Sequence, residues 1–186
     1  MSSALAVEKI VIIGDSVTEG YGVDQEYSYP ALLEKLLNKE TKKYKVINGG
    51  VSGSTTASAL SRLKWFLKAK PKLVIIALGA NDGLRGIKVR ESSKNLEKAI
   101  VLALSKNLKV VLVGMKMPPN YGKKYQQSFE KIFAQLADKH KLKFIPFLLK
   151  GVAGNKELNI EDGIHPNRKG YKVIANNIYA QIKGLL

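Results

Sequence analysis

The sequence predicts an α/β protein, a three-layer α/β/α sandwich built on a five-stranded parallel sheet. Five short apolar runs recur along its 186 residues, and segments with the apolar spacing of amphipathic helices separate them. Strands covered on both faces read as continuous apolar runs, and parallel strands require crossover connections of this kind. No linker, repeat or low-complexity stretch interrupts the pattern, so we expect a single domain over residues 1–186.

The five predicted strands are aliphatic runs bounded by glycine, proline or polar residues, and the fifth is the weakest. They cover residues 9–14, 44–47, 73–78, 109–114 and 143–146. The predicted helices each carry one apolar stripe. The first opens at residues 28–30, where Ser28 is a plausible cap and Pro30 is tolerated in the first turn. The other helices cover residues 55–69, 91–105, 124–139 and 168–183.

Polar or glycine-rich clusters follow the predicted strands. Ser16 follows the first strand, Gly53 the second and Asn81 the third, while Asp162 and His165 lie after the fifth. In open parallel sheets, ligands bind beyond the carboxyl ends of the strands. The sequence therefore predicts that these side chains meet at one edge of the sheet.

One of the two histidines is placed for proton transfer. His165 comes three residues after Asp162, in a stretch that Gly163 and Pro166 mark as a loop. A hydroxyl nucleophile needs a base, and that base needs an orienting group. With Ser16 as the nucleophile, this pattern predicts a serine hydrolase.

The sequence lacks the residue patterns that several other kinds of functional site require. The segment 14–20 has neither a dinucleotide-binding glycine pattern nor a Gly-Lys-Ser/Thr element. No H-E-x-x-H helix or cysteine pair exists, so we expect no metal site, and the absence of cysteine excludes disulfides and thiol catalysis. The segment 50–53 breaks the G-x-S-x-G spacing of the common α/β-hydrolases.

Four sequence blocks in order identify a family. Residues 14–16 read Gly-Asp-Ser, Gly53 ends the block 48–53, residues 79–82 read Gly-Ala-Asn-Asp, and residues 162–165 hold the Asp-x-x-His pair. The chain resembles the SGNH (GDSL) hydrolases along almost its whole length. The resemblance implies the flavodoxin-like fold of those enzymes.

Within that family, the chain is similar to the small bacterial arylesterase, thioesterase I and lysophospholipase L1-like branch. The segments 81–86, 118–122 and 162–167 carry this similarity. Two positions depart from the family pattern: Val17 stands where leucine is usual, and Ser54 where aspartate is frequent.

The resemblance implies a role for each block. Ser16 attacks the acyl carbonyl, His165 takes its proton, and Asp162 orients the imidazole. The backbone N–H groups of Ser16 and Gly53 and the side-chain amide of Asn81 form the oxyanion hole, and no cofactor is needed. The expected function is a serine esterase for short- to medium-chain acyl or aryl esters, with thioesterase and lysophospholipase activity.

The expected substrate contacts come from two loops. The segment 82–86 is expected to be mobile and to close over an acyl chain, with the segment 118–121 as the opposite wall. The candidate substrate-binding residues are Leu84, Arg85, Pro118 and Tyr121. Two alternatives remain open, a carbohydrate acetylesterase of the same superfamily and a non-catalytic lipid- or anion-binding module.

Three further titratable residues have structural interpretations. We expect Asp15 to hydrogen-bond loop amides and Asp82 to orient its loop. His140 is expected to be a solvated residue near a helix C-terminus.

The formal net charge of +16 is spread over lysines at polar helix positions and in loops. It predicts a solvated basic surface, with peripheral attraction to anionic lipid as the main alternative. Nucleic acid is not expected as a partner, because no recognised binding motif occurs. No apolar run reaches membrane-spanning length. The N-terminus predicts a cytoplasmic protein as the chain stands; it would be periplasmic or secreted if Ala4-Leu5-Ala6 ends a trimmed signal peptide.

Overall fold

A computed structural model describes residues 7–39 and 43–186. Its centre is a five-stranded sheet in the order β2-β1-β3-β4-β5, and all pairs are parallel. The strands are β1 Glu8–Gly14, β2 Tyr44–Gly50, β3 Leu73–Ala77, β4 Lys109–Val113 and β5 Lys143–Ile145. This strand order is that of flavodoxin-like doubly wound sheets, as predicted.

Seven helices surround the sheet in the described residues. They are α1 Ser16–Glu19, α2 Tyr29–Leu37, α3 Ala59–Phe66, α4 Ala80–Leu84, α5 Val89–Ser105, α6 Lys123–Lys139 and α7 Arg168–Ile182. Helix α2 packs against α7, whereas α5 packs against both α3 and α6. These two groups form the outer layers of the sandwich.

The core lies on both faces of the central strands. Ile12 of β1 pairs in register with Ile75 of β3, which pairs with Val111 of β4, and all three side chains are fully buried. From the helices, Leu33 and Phe133 are equally buried. Each such side chain contributes about 1.5–3 kcal/mol relative to exposure, so the apolar runs that predicted the strands also hold the layers together.

The structure differs from the sequence-based expectation mainly in short helices. The predicted helix 55–69 is α3 with a single 3₁₀ turn on each side, at Thr56–Ser58 and Leu67–Ala69. Helices α1 and α4 occupy segments that were expected to be loops. A helix of four or five residues has too few positions to show an apolar period, so no sequence pattern indicates it.

No helix in the described parts of the chain is long and apolar enough to cross a membrane. The Ala4-Leu5-Ala6 segment, the possible end of a signal peptide, lies outside the described residues.

Candidate active site

Segments from the early and late parts of the chain meet at the carboxyl edge of the sheet. Ser16 begins α1 directly after β1, and its Oγ lies 2.9 Å from Nε2 of His165. On the other side of the imidazole, Nδ1 of His165 lies 2.6 Å from Oδ2 of Asp162. A hydroxyl, an imidazole and a carboxylate therefore form one hydrogen-bonded line, in the order that the sequence predicts.

Asp162 is held by its own loop. Its Oδ1 accepts hydrogen bonds from the backbone N–H groups of Ile164 and His165, at 2.8 and 2.9 Å. Gly163 makes this tight turn with φ +69°, a region that favours glycine. Desolvation acts to raise the pKa of Asp162, but the hydrogen bonds from His165 and Ile164 outweigh it and lower the pKa. Asp162 therefore stays ionised and in a fixed orientation.

Tyr21 supports the imidazole from a direction that no sequence motif indicated. Its ring centroid lies 4.5 Å from that of His165, with the planes tilted by 42°. The hydroxyl of Tyr171, a fully buried residue of α7, donates a 2.9 Å hydrogen bond to the Tyr21 carbonyl. The contact fixes the loop that carries Tyr21 and so restricts rotation of the imidazole.

Within the described residues, the backbone N–H groups of Ser16 and Gly53 have no hydrogen-bond acceptor. Gly53 has φ +73°, which a side chain would disfavour. The Asn81 side chain donates a 3.0 Å hydrogen bond from Nδ2 to the Ser54 carbonyl, which leaves its second N–H for another acceptor. Arg85 donates from a terminal guanidinium nitrogen to the Gly53 carbonyl at 3.0 Å. These contacts tie α4 to the loop that follows β2.

Glu19 clamps the same loop from the other side. Its carboxylate accepts a 2.9 Å hydrogen bond from the backbone N–H of Ser52 and a further one from the Ser52 hydroxyl. The Glu19 carbonyl accepts from the Asn48 side chain at 3.2 Å. A Cβ on Gly50 would overlap the backbone of Glu19, so only glycine allows this close approach. No sequence pattern indicates this clamp, because its members lie far apart along the chain.

Asp82 organises α4 and its neighbours. This fully buried carboxylate accepts from the backbone N–H of Thr56 at 2.8 Å, from the Thr56 hydroxyl at 2.5 Å and from Ser92 at 2.9 Å. The three hydrogen bonds give the buried carboxyl oxygens partners inside the protein. Asp82 thus orients the residues around Asn81, in agreement with the structural role expected for it.

The four candidate substrate-binding residues lie on two touching segments. The Tyr121 hydroxyl donates a 3.1 Å hydrogen bond to the Leu84 carbonyl, and the Tyr121 N–H donates to the Pro118 carbonyl at 3.3 Å. Leu84 is 39% exposed, whereas the guanidinium of Arg85 is engaged with Gly53. Arg85 therefore supports the loop of Gly53 in this structure.

The expectation of a mobile 82–86 loop is corrected by the structure. Asp82 and Gly83 are buried residues of α4, and a Cβ on Gly83 would overlap the side chain of Met117. Glycine serves here for close packing. Only Leu84 to Gly86 forms an exposed turn, with Gly86 at φ +64°.

Asp15 lies beneath the serine. Its Oδ1 accepts a 3.1 Å hydrogen bond from the backbone N–H of Val17, as a structural carboxylate would. Burial raises the pKa of Asp15 to about 6, against the opposing effects of that hydrogen bond and of the nearby His165 and Arg62. Asp15 is therefore a buried carboxylate that is costly to ionise.

The expectation for His140 is only partly right. The residue caps the C-terminus of α6, but it is largely shielded from solvent and its Nε2 lies 2.8 Å from a carboxylate oxygen of Glu97. In the described parts of the chain, no group of three or more His, Asp or Glu side chains is arranged to hold a metal ion.

The chain is similar to known proteins over almost its whole length. The model of the GDSL-like Lipase/Acylhydrolase family matches residues 12–173. An arylesterase of Vibrio mimicus is 37% identical, over 97% of this chain and 91% of that protein. Thioesterase 1/protease 1/lysophospholipase L1 of Escherichia coli is 33% identical, over 98% and 87%. The crystal structure of the psychrotrophic esterase EstA from Pseudoalteromonas sp., inhibited by monoethylphosphonate, superposes with a TM-score of 0.90 at 33% identity, over 96% of this chain and 98% of EstA.

The fold and the relatives show that the chain is a carboxylic ester hydrolase with an α/β/α sandwich. It belongs to the GDSL-like lipase/acylhydrolase family. The resemblance found in the sequence is therefore confirmed, together with the fold class and the enzyme class that it implied.

Proposed function

We propose that this chain is a serine esterase that uses Ser16, His165 and Asp162 as a catalytic triad. The observation that carries the proposal is the pair of hydrogen bonds on the two sides of one imidazole, 2.9 Å to Ser16 and 2.6 Å to Asp162. Such a line moves a proton from the hydroxyl to the ring while the carboxylate stabilises the imidazolium. A non-catalytic binding module does not require this hydrogen-bonded line of hydroxyl, imidazole and carboxylate.

The reaction has two acyl-transfer steps. His165 Nε2 takes the hydroxyl proton as Ser16 Oγ attacks the ester carbonyl, and it then gives that proton to the leaving alcohol. The acyl group is now esterified to Ser16. In the second step, His165 removes a proton from water, the hydroxide attacks the acyl carbonyl, and the proton returns to Ser16 as the acid leaves.

The oxyanion of each tetrahedral intermediate is assigned to three donors. The N–H groups of Ser16 and Gly53 have no acceptor within the described residues, and Asn81 keeps one side-chain N–H beyond its hydrogen bond to Ser54. Fixed donors of this kind each lower the barrier by about 3–4 kcal/mol. Glu19 and Arg85 hold the Gly53 loop in place and are assigned as positioning residues.

The surface around the triad supports an apolar acyl or aryl substrate. Four large apolar side chains in the segments around the triad are well exposed: Tyr21 at 51%, Val51 at 52%, Leu84 at 39% and Ile164 at 55%. An open apolar rim accommodates linear acyl and aryl groups of several lengths. It offers few polar groups for a sugar ring, so a carbohydrate acetylesterase is the less favoured assignment.

Thioesterase and lysophospholipase activity are part of the proposal. The Escherichia coli relative carries both activities in its name and is similar over almost the whole chain. Attack by Ser16 is the same for an oxyester and a thioester, because only the leaving group differs. The substrates are therefore small acyl esters or lipids, and peripheral attraction to anionic lipid remains a proposed property of the basic surface.

The test is an activity screen with a matched inactive variant. We expect wild-type protein to hydrolyse p-nitrophenyl acetate, butyrate and octanoate, a medium-chain acyl-CoA and a lysophospholipid. The Ser16→Ala variant should fold normally and lose at least about 10⁴-fold in kcat on each, because it removes the nucleophile. Retention of wild-type turnover by Ser16→Ala, or hydrolysis of acetylated xylan alone, would contradict the proposal.

A further inference from the structure

Lysines gather at the edge of the sheet opposite to the candidate active site. In a parallel sheet every strand begins at this amino edge, and the crossover helices end there. The segments before the strands and after the helices are rich in lysine. We call the following set the amino-edge lysines: Lys9, Lys43, Lys45, Lys70, Lys72, Lys106, Lys109, Lys139, Lys141, Lys143 and Lys183.

Backbone hydrogen bonds place these residues side by side. The Glu8 N–H donates to the Lys43 carbonyl at 2.7 Å, the Lys72 N–H to the Lys9 carbonyl at 2.9 Å, and the Lys109 N–H to the Lys72 carbonyl at 3.1 Å. These contacts run across the first residues of β2, β1, β3 and β4. Lys43, Lys9, Lys72 and Lys109 are therefore neighbours along this edge.

Few carboxylates compensate this surface. Three carboxylates pair with four of the lysines: Glu8 with Lys43 at 2.8 Å and Lys72 at 3.0 Å, Glu34 with Lys45 at 3.0 Å, and Glu97 with Lys139 at 2.8 Å. At the carboxyl edge, by contrast, acidic and basic residues are mixed. Its segments hold the acidic residues Asp15, Glu19, Asp24, Asp82, Glu157, Glu161 and Asp162 and the basic residues Arg62, Arg85, Lys88, Lys116, Lys123, Lys124, Lys150, Lys156, Arg168 and Lys169. Much of the net charge of +16 is thus concentrated at the amino edge.

Two of the amino-edge lysines lie in a left-handed backbone conformation. Lys70 and Lys141, in the turns before β3 and β5, both have φ +52°. This region disfavours side chains with a Cβ and favours glycine or asparagine. Of the three non-glycine residues with positive φ in the described parts of the chain, two are these exposed lysines.

We propose that the amino-edge lysines bind the surface of an anionic lipid bilayer and hold the candidate active site away from that surface. Lysine is a compact, mobile charge that suits headgroups in no fixed arrangement, and each one near an anionic surface strengthens binding. Sequence-specific DNA contacts instead favour arginine, and these segments contain none. Acyl esters would then reach Ser16 from the aqueous side.

The binding test uses vesicles and a background without turnover. In a Ser16→Ala background, which leaves lipids intact and keeps this test separate from the proposed esterase activity, the protein should co-sediment with phosphatidylcholine–phosphatidylglycerol vesicles. It should not co-sediment with phosphatidylcholine vesicles, and rising salt should release it.

Two quadruple variants with equal charge change locate the surface. Replacing Lys70, Lys106, Lys141 and Lys183 by glutamine should weaken vesicle binding by about 100-fold or more, because each lysine near the surface contributes roughly fivefold. The matched control replaces Lys64, Lys94, Lys98 and Lys131, which are exposed on α3, α5 and α6. It should lose less than about tenfold, since charges beyond a Debye length are screened.

Orientation is measured with single cysteines, which the cysteine-free chain allows. Ser105→Cys places a fluorophore at the amino edge, at the end of α5, and Glu161→Cys places one beside the candidate active site. A lipid-borne quencher should act mainly on the label at position 105. Stronger quenching at 161, equal losses in the two quadruple variants, or binding to a short DNA duplex but not to anionic vesicles would each overturn the proposal.

Discussion

The two edges of one parallel sheet are built on different interactions. At the carboxyl edge, polar side chains from distant segments hydrogen-bond to one another, as Asp82 does with Thr56 and Ser92, and Glu19 with Ser52. At the amino edge, the same strands begin with exposed or half-buried lysines that share few carboxylates. Hydrogen bonds hold the side chains of the carboxyl edge in fixed positions, whereas the lysines of the amino edge make that surface positively charged.

Because of this difference, substitutions at the two edges should affect turnover differently. Substitutions at the carboxyl edge should change turnover steeply, because displacement of a reacting group or donor by a fraction of an ångström weakens transition-state stabilisation. Substitutions at the amino edge should leave turnover of soluble esters unchanged.

Asn81→Ala should lower kcat by about 10²–10³-fold with little change in KM, because the amide is assigned to the oxyanion and not to the substrate in its ground state. Steady-state kinetics with p-nitrophenyl butyrate measures it, and the amino-edge quadruple variant is the control. A tenfold or smaller loss would remove Asn81 from the oxyanion hole and weaken the contrast between the edges.

Glu19→Ala should lower kcat by about tenfold, since loss of a hydrogen-bonded carboxylate costs about 1.5–3 kcal/mol and part of that loss reaches the position of Gly53. Glu19→Gln keeps an oxygen for Ser52 and should recover most of the activity. Equal kinetics for the alanine and glutamine variants would show that the clamp does not position the loop.

Asp15→Asn should stabilise the protein at neutral pH and less in acid. The pKa of Asp15 is raised from 3.8 to about 6 by burial, so the folded protein holds its proton more tightly than the unfolded chain. The contribution of protonated Asp15 to the free energy of unfolding is fully present below about pH 4. It is lost as the pH rises through about 6, the pKa of Asp15 in the folded protein. Asparagine avoids that loss, which amounts to up to about 3 kcal/mol at about 1.4 kcal/mol per pKa unit.

Thermal unfolding of wild type and Asp15→Asn at about pH 8 and pH 4.5 measures the effect. The gain in Tm should be clear at the higher pH and roughly a third as large at the lower one, where the unfolded chain has already lost most of the proton of this group but the folded protein still holds it. The same difference in Tm at both pH values would mean that ionisation of Asp15 is not the cause.

Lys70→Gly should give the smallest effect, a stabilisation of up to about 1 kcal/mol. It relieves the left-handed backbone, which costs roughly 1–2 kcal/mol for a residue with a Cβ, and part of that gain is offset by the greater freedom of glycine in the unfolded chain. Chemical denaturation measures it, and Lys70→Gln is the control that removes the charge but keeps the strain. Equal stability of the two variants would argue against strain at this turn.

The sequence predicted those features that depend on local patterns. The apolar runs of β1, β3 and β4 and the stripes of α5, α6 and α7 repeat at fixed spacings, so their approximate positions could be read directly. Asp162 and His165 were visible for the same reason, because they are three residues apart in one loop.

The missed features depend on contacts between distant segments. Tyr21 stacks on His165 because Tyr171 of α7 holds its carbonyl, and no spacing along the chain records such an arrangement. The burial of α4 similarly depends on Thr56, Ser92 and Met117. The turn at 82–86 therefore looked like an open loop from its glycines alone.

The central claim, that Ser16 is activated by His165 as a nucleophile, is tested most directly by covalent trapping. A reactive phosphonate ester, of the kind that inhibits the related EstA, is incubated with the wild type and with Ser16→Ala, followed by intact-mass and peptide analysis. One phosphonyl group on Ser16 of the wild type, and none on the variant, is the expected result. An unmodified Ser16, or an equal adduct on the variant, would contradict the assignment.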